Sequence, residues 1–142
     1  MNPVFPYELH EDYPGFFISF PDVPGALTGD DTEEETRSGA LNCLIEAMEG
    51  CMDLRGAIPL PSQPNVGQGT VILPPLVVAK LALYEGMRKQ GMTRVTMARE
   101  LGVTENVVRR LLDLRHRSHI GQVENALAVL GKRLMVTVQD AA

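Results

Sequence analysis

The stretch Arg94–His116, RVTMARELGVTENVVRRLLDLRH, decides how this chain is read. Arg94 to Leu101 suits a short helix, and Gly102 supplies the left-handed residue that ends one. Thr104 is placed to cap a following helix from Glu105 to about Leu114. Ala98, four residues before Gly102, lets the two helices approach closely, while Met97, Leu101, Val103, Val108 and Leu111 supply a shared core. This joint spacing predicts a helix-turn-helix, the arrangement that lays its second helix in the major groove of DNA.

The core assignment dictates what faces outward. Thr104, Glu105, Asn106, Arg109, Arg110 and Asp113 remain on the exposed side of the second helix. Arginine pairs bidentately with guanine and asparagine with adenine, so Arg109, Arg110 and Asn106 are the expected base readers. Arg94, Arg99, Arg115 and Arg117 are better placed for phosphates, a contribution that weakens with salt. A solvated helix surface would account for any single arginine, but not for the group. His116 and His119 stand three apart, yet no nearby carboxylate or thiol completes a metal site, and no metal or other cofactor is expected.

Working outward, PPLVVAKLALYEGMRKQ opens with proline at a helix's first turn, and Val77, Val78, Leu81, Ala82, Tyr84 and Met87 repeat at helical spacing. A helix from Pro75 to Gln90 is expected, stopped by Gly91. Downstream, a fourth helix is expected from Ile120 to Leu130, stopped by Gly131. The chain then reads LMVTV, Leu134 to Val138, a strand whose backbone groups need a partner. The same strand of a second copy is the economical answer, giving a homodimer through Leu134, Val136 and Val138 whose second helices address two half-sites. Pairing of dimers into tetramers stays open.

Charge divides the 142 residues in two. Residues 1–70 hold two basic residues, Arg37 and Arg55, against twelve acidic ones, net -10; residues 71–142 hold eleven basic against six acidic, net +5, which together give the formal -5. Such asymmetry suggests two partners of opposite charge, a polyanion for the second half and something basic for the first. Acidic surface for solubility alone is the plainer account of the first half. The N-terminus has no basic segment leading an apolar run, and no stretch approaches the roughly 18 apolar residues of a membrane span, so a cytoplasmic protein without a membrane partner is expected.

Phe5–Leu9 and Phe16–Phe20 are short apolar runs joined by HEDYPG, which reads as an antiparallel hairpin. A third strand is expected over Ala26–Gly29. From Thr32 the period changes: Ala40, Leu41, Leu44, Ile45, Met48, Cys51 and Met52 recur at three- and four-residue spacing, as one long helix would place them. Thr32 with Glu35 fits a capping box, and Glu33 to Glu35 lie at the positive end of the helix dipole. Cys43 and Cys51, eight apart, lie about 12 Å from each other along that helix and beyond disulfide reach, so reduced core-side thiols are expected. Residues 56–69, rich in proline and glycine, read as a loop or linker before a last strand at Thr70–Leu73. The boundary falls near Pro74, giving domains at 1–73 and 74–142.

Phe20, Asp22, Pro24 and Gly25, then Asp31 to Glu34, then Pro59, Pro61 and Ser62, occur in an order that resembles the HicB family of antitoxins. The doubled acid Asp30-Asp31 is one departure, where a single acid is usual. With the C-terminal module the resemblance covers nearly the whole chain. It implies an α+β protein: an N-terminal partial RNase H-like β-β-β-α-β domain without nuclease activity, and an XRE-like all-α helix-turn-helix domain with a terminal dimerising strand. It further implies that the first domain neutralises a small basic mRNA-cleaving toxin, HicA, and that the second represses the shared operon by binding double-stranded operator DNA. Asp22, Asp30 and Asp31 are candidates for the toxin contact, though each suits a turn or cap equally well. A ligand-sensing transcriptional regulator is the alternative, and would need an apolar pocket with convergent polar groups. A magnesium-dependent nuclease built on Asp22, Asp30, Asp31 and Glu34 is disfavoured, because these acids cluster in turns and one helix start rather than converging from separate strands.

Overall fold

Alternating side chains set the first layer of the structure, a computed structural model that describes residues 1–141. Strand β1 (Val4–Asp12) turns through Tyr13 and Pro14 into β2 (Gly15–Ser19), and the two pair antiparallel with Leu9 opposite Ile18 and His10 opposite Phe17. Strand β3 (Leu27–Asp30) pairs with β2, and β4 (Gly69–Ile72) returns to pair with the start of β1, Phe5 opposite Val71. The result is a four-stranded antiparallel sheet in the order β3-β2-β1-β4. Phe5, Tyr7, Ile18 and Val71 are buried, and helices cover that face. Gly69 sits beneath the Tyr7 ring, where any Cβ would overlap it.

The single helix expected from Thr32 is in fact two, α1 (Glu33–Ser38) and α2 (Ala40–Asp53). The Thr36 hydroxyl donates back to the Thr32 carbonyl at 2.7 Å, and the Ser38 hydroxyl donates to the carbonyls of Glu34 and Glu35, both at 3.0 Å. Such back-bonding competes with the helical ladder and bends it. The Gly39 N–H is then shared between the Glu35 and Thr36 carbonyls, each 3.2 Å away, and the chain restarts as α2. Thr32 caps α1 as expected, its Oγ1 accepting from the Glu35 N–H at 3.1 Å. On α2, Ala40, Cys43, Leu44, Ile45 and Met48 are buried. Cys43 and Cys51 are free thiols, and burial pushes the Cys43 thiol above its ordinary value.

The contacts divide the chain into two compact units, Met1–Pro74 and Pro75–Ala142. The second is helical: α3 (Pro75–Gln90), α4 (Arg94–Leu101), α5 (Glu105–Leu112) and α6 (Ile120–Val129). Its core gathers Ala79, Leu83 and Met87 of α3, Met97 and Ala98 of α4, Val108 and Leu111 of α5, and Val123, Ala126 and Leu127 of α6. The inward side of α3 matches the expected one in part: Val77, Leu81 and Met87 are buried, but Val78, Ala82 and Tyr84 are only half-buried, and Ala79, Lys80 and Leu83 are enclosed instead. Repeats at three and four residues mark a helix, but in a run as apolar as LVVAKLAL they do not single out its inner side.

Gly102 adopts the left-handed conformation, φ 68° and ψ 33°, and the Val103 N–H returns to the Ala98 carbonyl at 3.0 Å. Val103, expected in the core, is 36% exposed instead, because this bond holds it in the turn outside both helices. Helix α5 ends at Leu112, short of the expected Leu114, as Asp113 turns to extended backbone with ψ 111°. Leu134 to Val138 forms no strand within the chain; Leu134 packs partly on the helical core, while Val136 and Val138 are exposed. A strand is defined by its pairing, and the single chain offers this segment none among the described residues. Among those residues, too, no helix is long and apolar enough to cross a membrane.

Candidate functional site

Helix α5 turns Val108 and Leu111 into the core, which sends Thr104, Glu105, Asn106, Arg109, Arg110 and Asp113 to solvent. All six residues expected outward are thus exposed, four on α5 and two, Thr104 and Asp113, at its ends. An α-helix with its side chains is about 10–12 Å across, a diameter that a DNA major groove admits. Arg109 and Arg110 occupy its last turn, where the helix dipole favours cations. Thr104 has the extended backbone of a cap, but its side chain makes no capping bond, contrary to expectation. The cap that does form belongs to α4, where Thr93 Oγ1 accepts from the Thr96 N–H at 3.1 Å.

Arg94 and Glu105, both expected to meet a ligand, meet each other: Nε lies 3.4 Å from the carboxylate, and the pair joins the starts of α4 and α5. Arg99, Arg115 and Arg117 are exposed on α4 and on the turn after α5. That turn is ordered by its own polar groups. The Arg115 N–H donates to the Asp113 carboxylate at 2.9 Å, and His116 Nδ1 lies 2.9 Å from the Ser118 hydroxyl. Among the described residues no group of three histidines, cysteines or acids is gathered to hold a metal ion.

Sequence reasoning missed Lys80. Its side chain is fully buried, and Nζ donates to the carbonyls of Arg110 at 2.7 Å and Asp113 at 2.8 Å and to the Ser118 hydroxyl at 2.8 Å. The ammonium therefore lies on the carbonyl end of α5, where the helix dipole is negative. Desolvation lowers its pKa from the ordinary lysine value, and nearby Asp113 opposes that shift. One lysine thus fastens the last turn of α5 and the following turn to α3. The only signal was a charge inside the apolar run LVVAKLAL, a place where a lysine must find several acceptors.

In the first unit the three candidate acids part company. Asp22 is half-buried, and its carboxylate accepts from the Ser62 N–H at 2.9 Å and the Ser62 hydroxyl at 3.0 Å, pinning the proline-rich segment to the turn after β2. Asp30 and Asp31 are exposed at the junction of β3 and α1, where the Asp31 N–H donates to the Asp30 side chain at 2.8 Å. The Glu35 carboxyl joins them. Its hydrogen bond to Asp30, and then the charges of Asp30 and Asp31, hold its pKa above the usual glutamate value. Such a cluster concentrates negative potential at one corner.

Residues 5–82 match the family model described as the HicB-like antitoxin of bacterial toxin-antitoxin systems. The chain is similar to antitoxin HicB 1 of Photorhabdus laumondii, 36% identical over 125 residues that cover 88% of this chain and 79% of the relative. It is similar to antitoxin HicB 2 of the same organism at 35% identity, with 94% of each chain covered. Antitoxin HicB of Pseudomonas fluorescens is 33% identical over 94% of this chain and 92% of its own length.

Proposed function

The chain belongs to the HicB-like antitoxin family, and from that premise we propose how its two units divide the work. The first unit, as a partial RNase H-like domain, binds and neutralises a small basic mRNA-cleaving toxin of the HicA kind. The second, as an XRE-like helix-turn-helix, binds double-stranded operator DNA and represses the operon encoding both proteins in the cytoplasm. The near full-length likeness to HicB antitoxins carries this reading, because it runs through both units rather than one.

The charge division supports it: an acidic first unit suits an RNA-binding toxin, and a basic second unit suits DNA. Asn106, Arg109 and Arg110 read base edges, while Arg99 and Arg115 meet phosphates. Glu105 holds Arg94 in place beside them, and Thr104 opens the reading helix. Leu134, Val136 and Val138 pair with the same segment of a second copy, which satisfies the exposed tail and sets two reading helices on two half-sites. Asp30 and Asp31 attract the toxin; Asp22, already bonded to Ser62, shapes the surface instead. No catalytic role is assigned to these acids, and magnesium-dependent nucleic-acid cleavage lost in Asp22→Asn would overturn that assignment.

Purification of the tagged chain expressed from its native operon tests the whole reading. A small basic protein in near-stoichiometric amount, identified by mass spectrometry, is the expected companion. If the chain comes down alone while its neighbouring gene is expressed, the first unit has lost its partner and a ligand-sensing regulator replaces the antitoxin reading.

A further inference from the structure

The sheet has a second face, away from α1 and α2, and the register states what stands on it. Val4, Pro6, Glu8, His10 and Asp12 alternate to the side opposite Phe5 and Tyr7, with Pro6 buried and the other four half-buried or exposed. Their cross-strand partners bring Ile72, Thr70, Ser19 and Phe17 to the same side, and Leu27 joins them opposite Ser19. Leu27 and Ile72, on the two edge strands, are 62% and 64% exposed. A solvated sheet face is ordinarily polar at such positions.

Between these aliphatic groups the centre is already ordered. The His10 ring stacks on Phe17 with centroids 4.5 Å apart, and its Nε2 lies 3.0 Å from the Ser19 hydroxyl and 3.9 Å from the Glu8 carboxylate. Gln68 donates to the other oxygen of Glu8 at 3.2 Å. Side chains fixed in advance lose little freedom when a partner docks.

Charge selects the occupant. The face carries Glu8 and Asp12 and no lysine or arginine, since Arg37 bonds to Glu33 and Tyr7 on the helix side and Arg55 follows α2. A two-fold contact with a second copy would bring together two faces that each carry Glu8 and Asp12 and no lysine or arginine to answer them. A basic partner would gain from the same acids. We propose that the sheet face opposite α1 and α2, anchored by Leu27 and Ile72, is where the small basic partner protein docks. This rests on the antitoxin reading and moves the contact surface from the Asp30–Asp31 corner, whose role becomes steering.

The test is calorimetric and kinetic titration of the full chain with the basic protein recovered from the operon purification, separated from the complex and refolded. Leu27→Lys and Ile72→Lys should each weaken binding at least 100-fold, chiefly by faster dissociation. Asp31→Asn should cost less than tenfold, mainly in the association rate and only at low salt. Leu54→Lys, at a residue 85% exposed after α2, should change nothing. Both anchors are exposed, so the variants should melt as the wild type does; Leu27→Ala and Ile72→Ala repeat the measurement should either lysine variant melt early. Wild-type affinity in all the anchor variants would overturn the proposal. So would a change of oligomeric state in them with partner affinity intact, which would make the face a contact between copies. If the wild-type chain binds no basic protein, the antitoxin reading fails and the docking face falls with it.

Discussion

In the first unit none of the twelve acidic side chains is buried, and the core encloses no charge. The second unit encloses one, Lys80, at the centre of its helical packing. Exposed charge is cheap to keep and to change, so its excess reports what the surface is meant to meet. A buried ammonium is costly unless its donors are all used, so its presence reports something about internal geometry. The first unit keeps its charges on the surface, where the proposed partner would meet them; the second uses one inside to fix a helix.

The sharpest way to break that contrast is to ask whether the two surfaces act separately. Arg109→Ala with Arg110→Ala should lower operator affinity about 100-fold or more, at roughly 1–3 kcal/mol per base-reading pair, with partner binding unmoved. Fluorescence anisotropy with labelled operator DNA measures it, and equal loss of partner binding would refute the division.

Next in size is Lys80. Lys80→Ala should destabilise the chain by about 3 kcal/mol, combining a core cavity with lost charge-assisted hydrogen bonds. Lys80→Met should cost less than half as much. The Arg110 and Asp113 carbonyls each keep a backbone donor, the N–H groups of Asp113 and His116 at 3.2 and 3.1 Å, and the methionine fills the space. Thermal unfolding that finds Met as costly as Ala would mean the charge, not the packing, holds α5.

The caps give a smaller contrast. Thr93→Ala should cost about 1 kcal/mol, because its hydroxyl caps α4, whereas Thr104→Ala should stay within about 0.5 kcal/mol and show its effect on DNA alone.

Smallest is the response to pH, and its sign differs between the units. Glu35 has its folded pKa raised above 4.5, so whatever it contributes is present below that value and is lost as pH rises through the raised one. Lys80 has its folded pKa lowered below 10.5, so the unfolded chain holds more protons between the two values and stability rises with pH there. Asp30→Asn should flatten the acid-side dependence, and Lys80→Met the alkaline one, in urea melts followed across pH.

The turn at Gly102 was legible in the sequence because a single residue type dominates the left-handed conformation. The outward row of α5 was legible because its apolar residues, Val107, Val108, Leu111 and Leu112, fall on one side and leave Glu105, Asn106, Arg109 and Arg110 on the other. The mixed α and β class followed from the change of period at Thr32. The break at Gly39 was hidden, since the capping box at Thr32 leads directly into the apolar repeat that starts at Ala40 and the hydroxyl back-bonds of Thr36 and Ser38 leave no periodic mark. Uniform apolarity blurred the inner side of α3, of which only Val77, Leu81 and Met87 were legible. Likewise Asp22 read as a contact candidate because its partner, Ser62, lies forty residues away and only the fold brings them together.

Lys80 grips α5 through the main-chain carbonyls of Arg110 and Asp113, and neither bond depends on which side chains those residues carry. The outward positions of α5 can therefore drift or be redesigned one at a time while the anchor stays as it is. If α5 reads DNA as proposed, a lineage built on this frame can change the address it reads without rebuilding the hand that holds the reader.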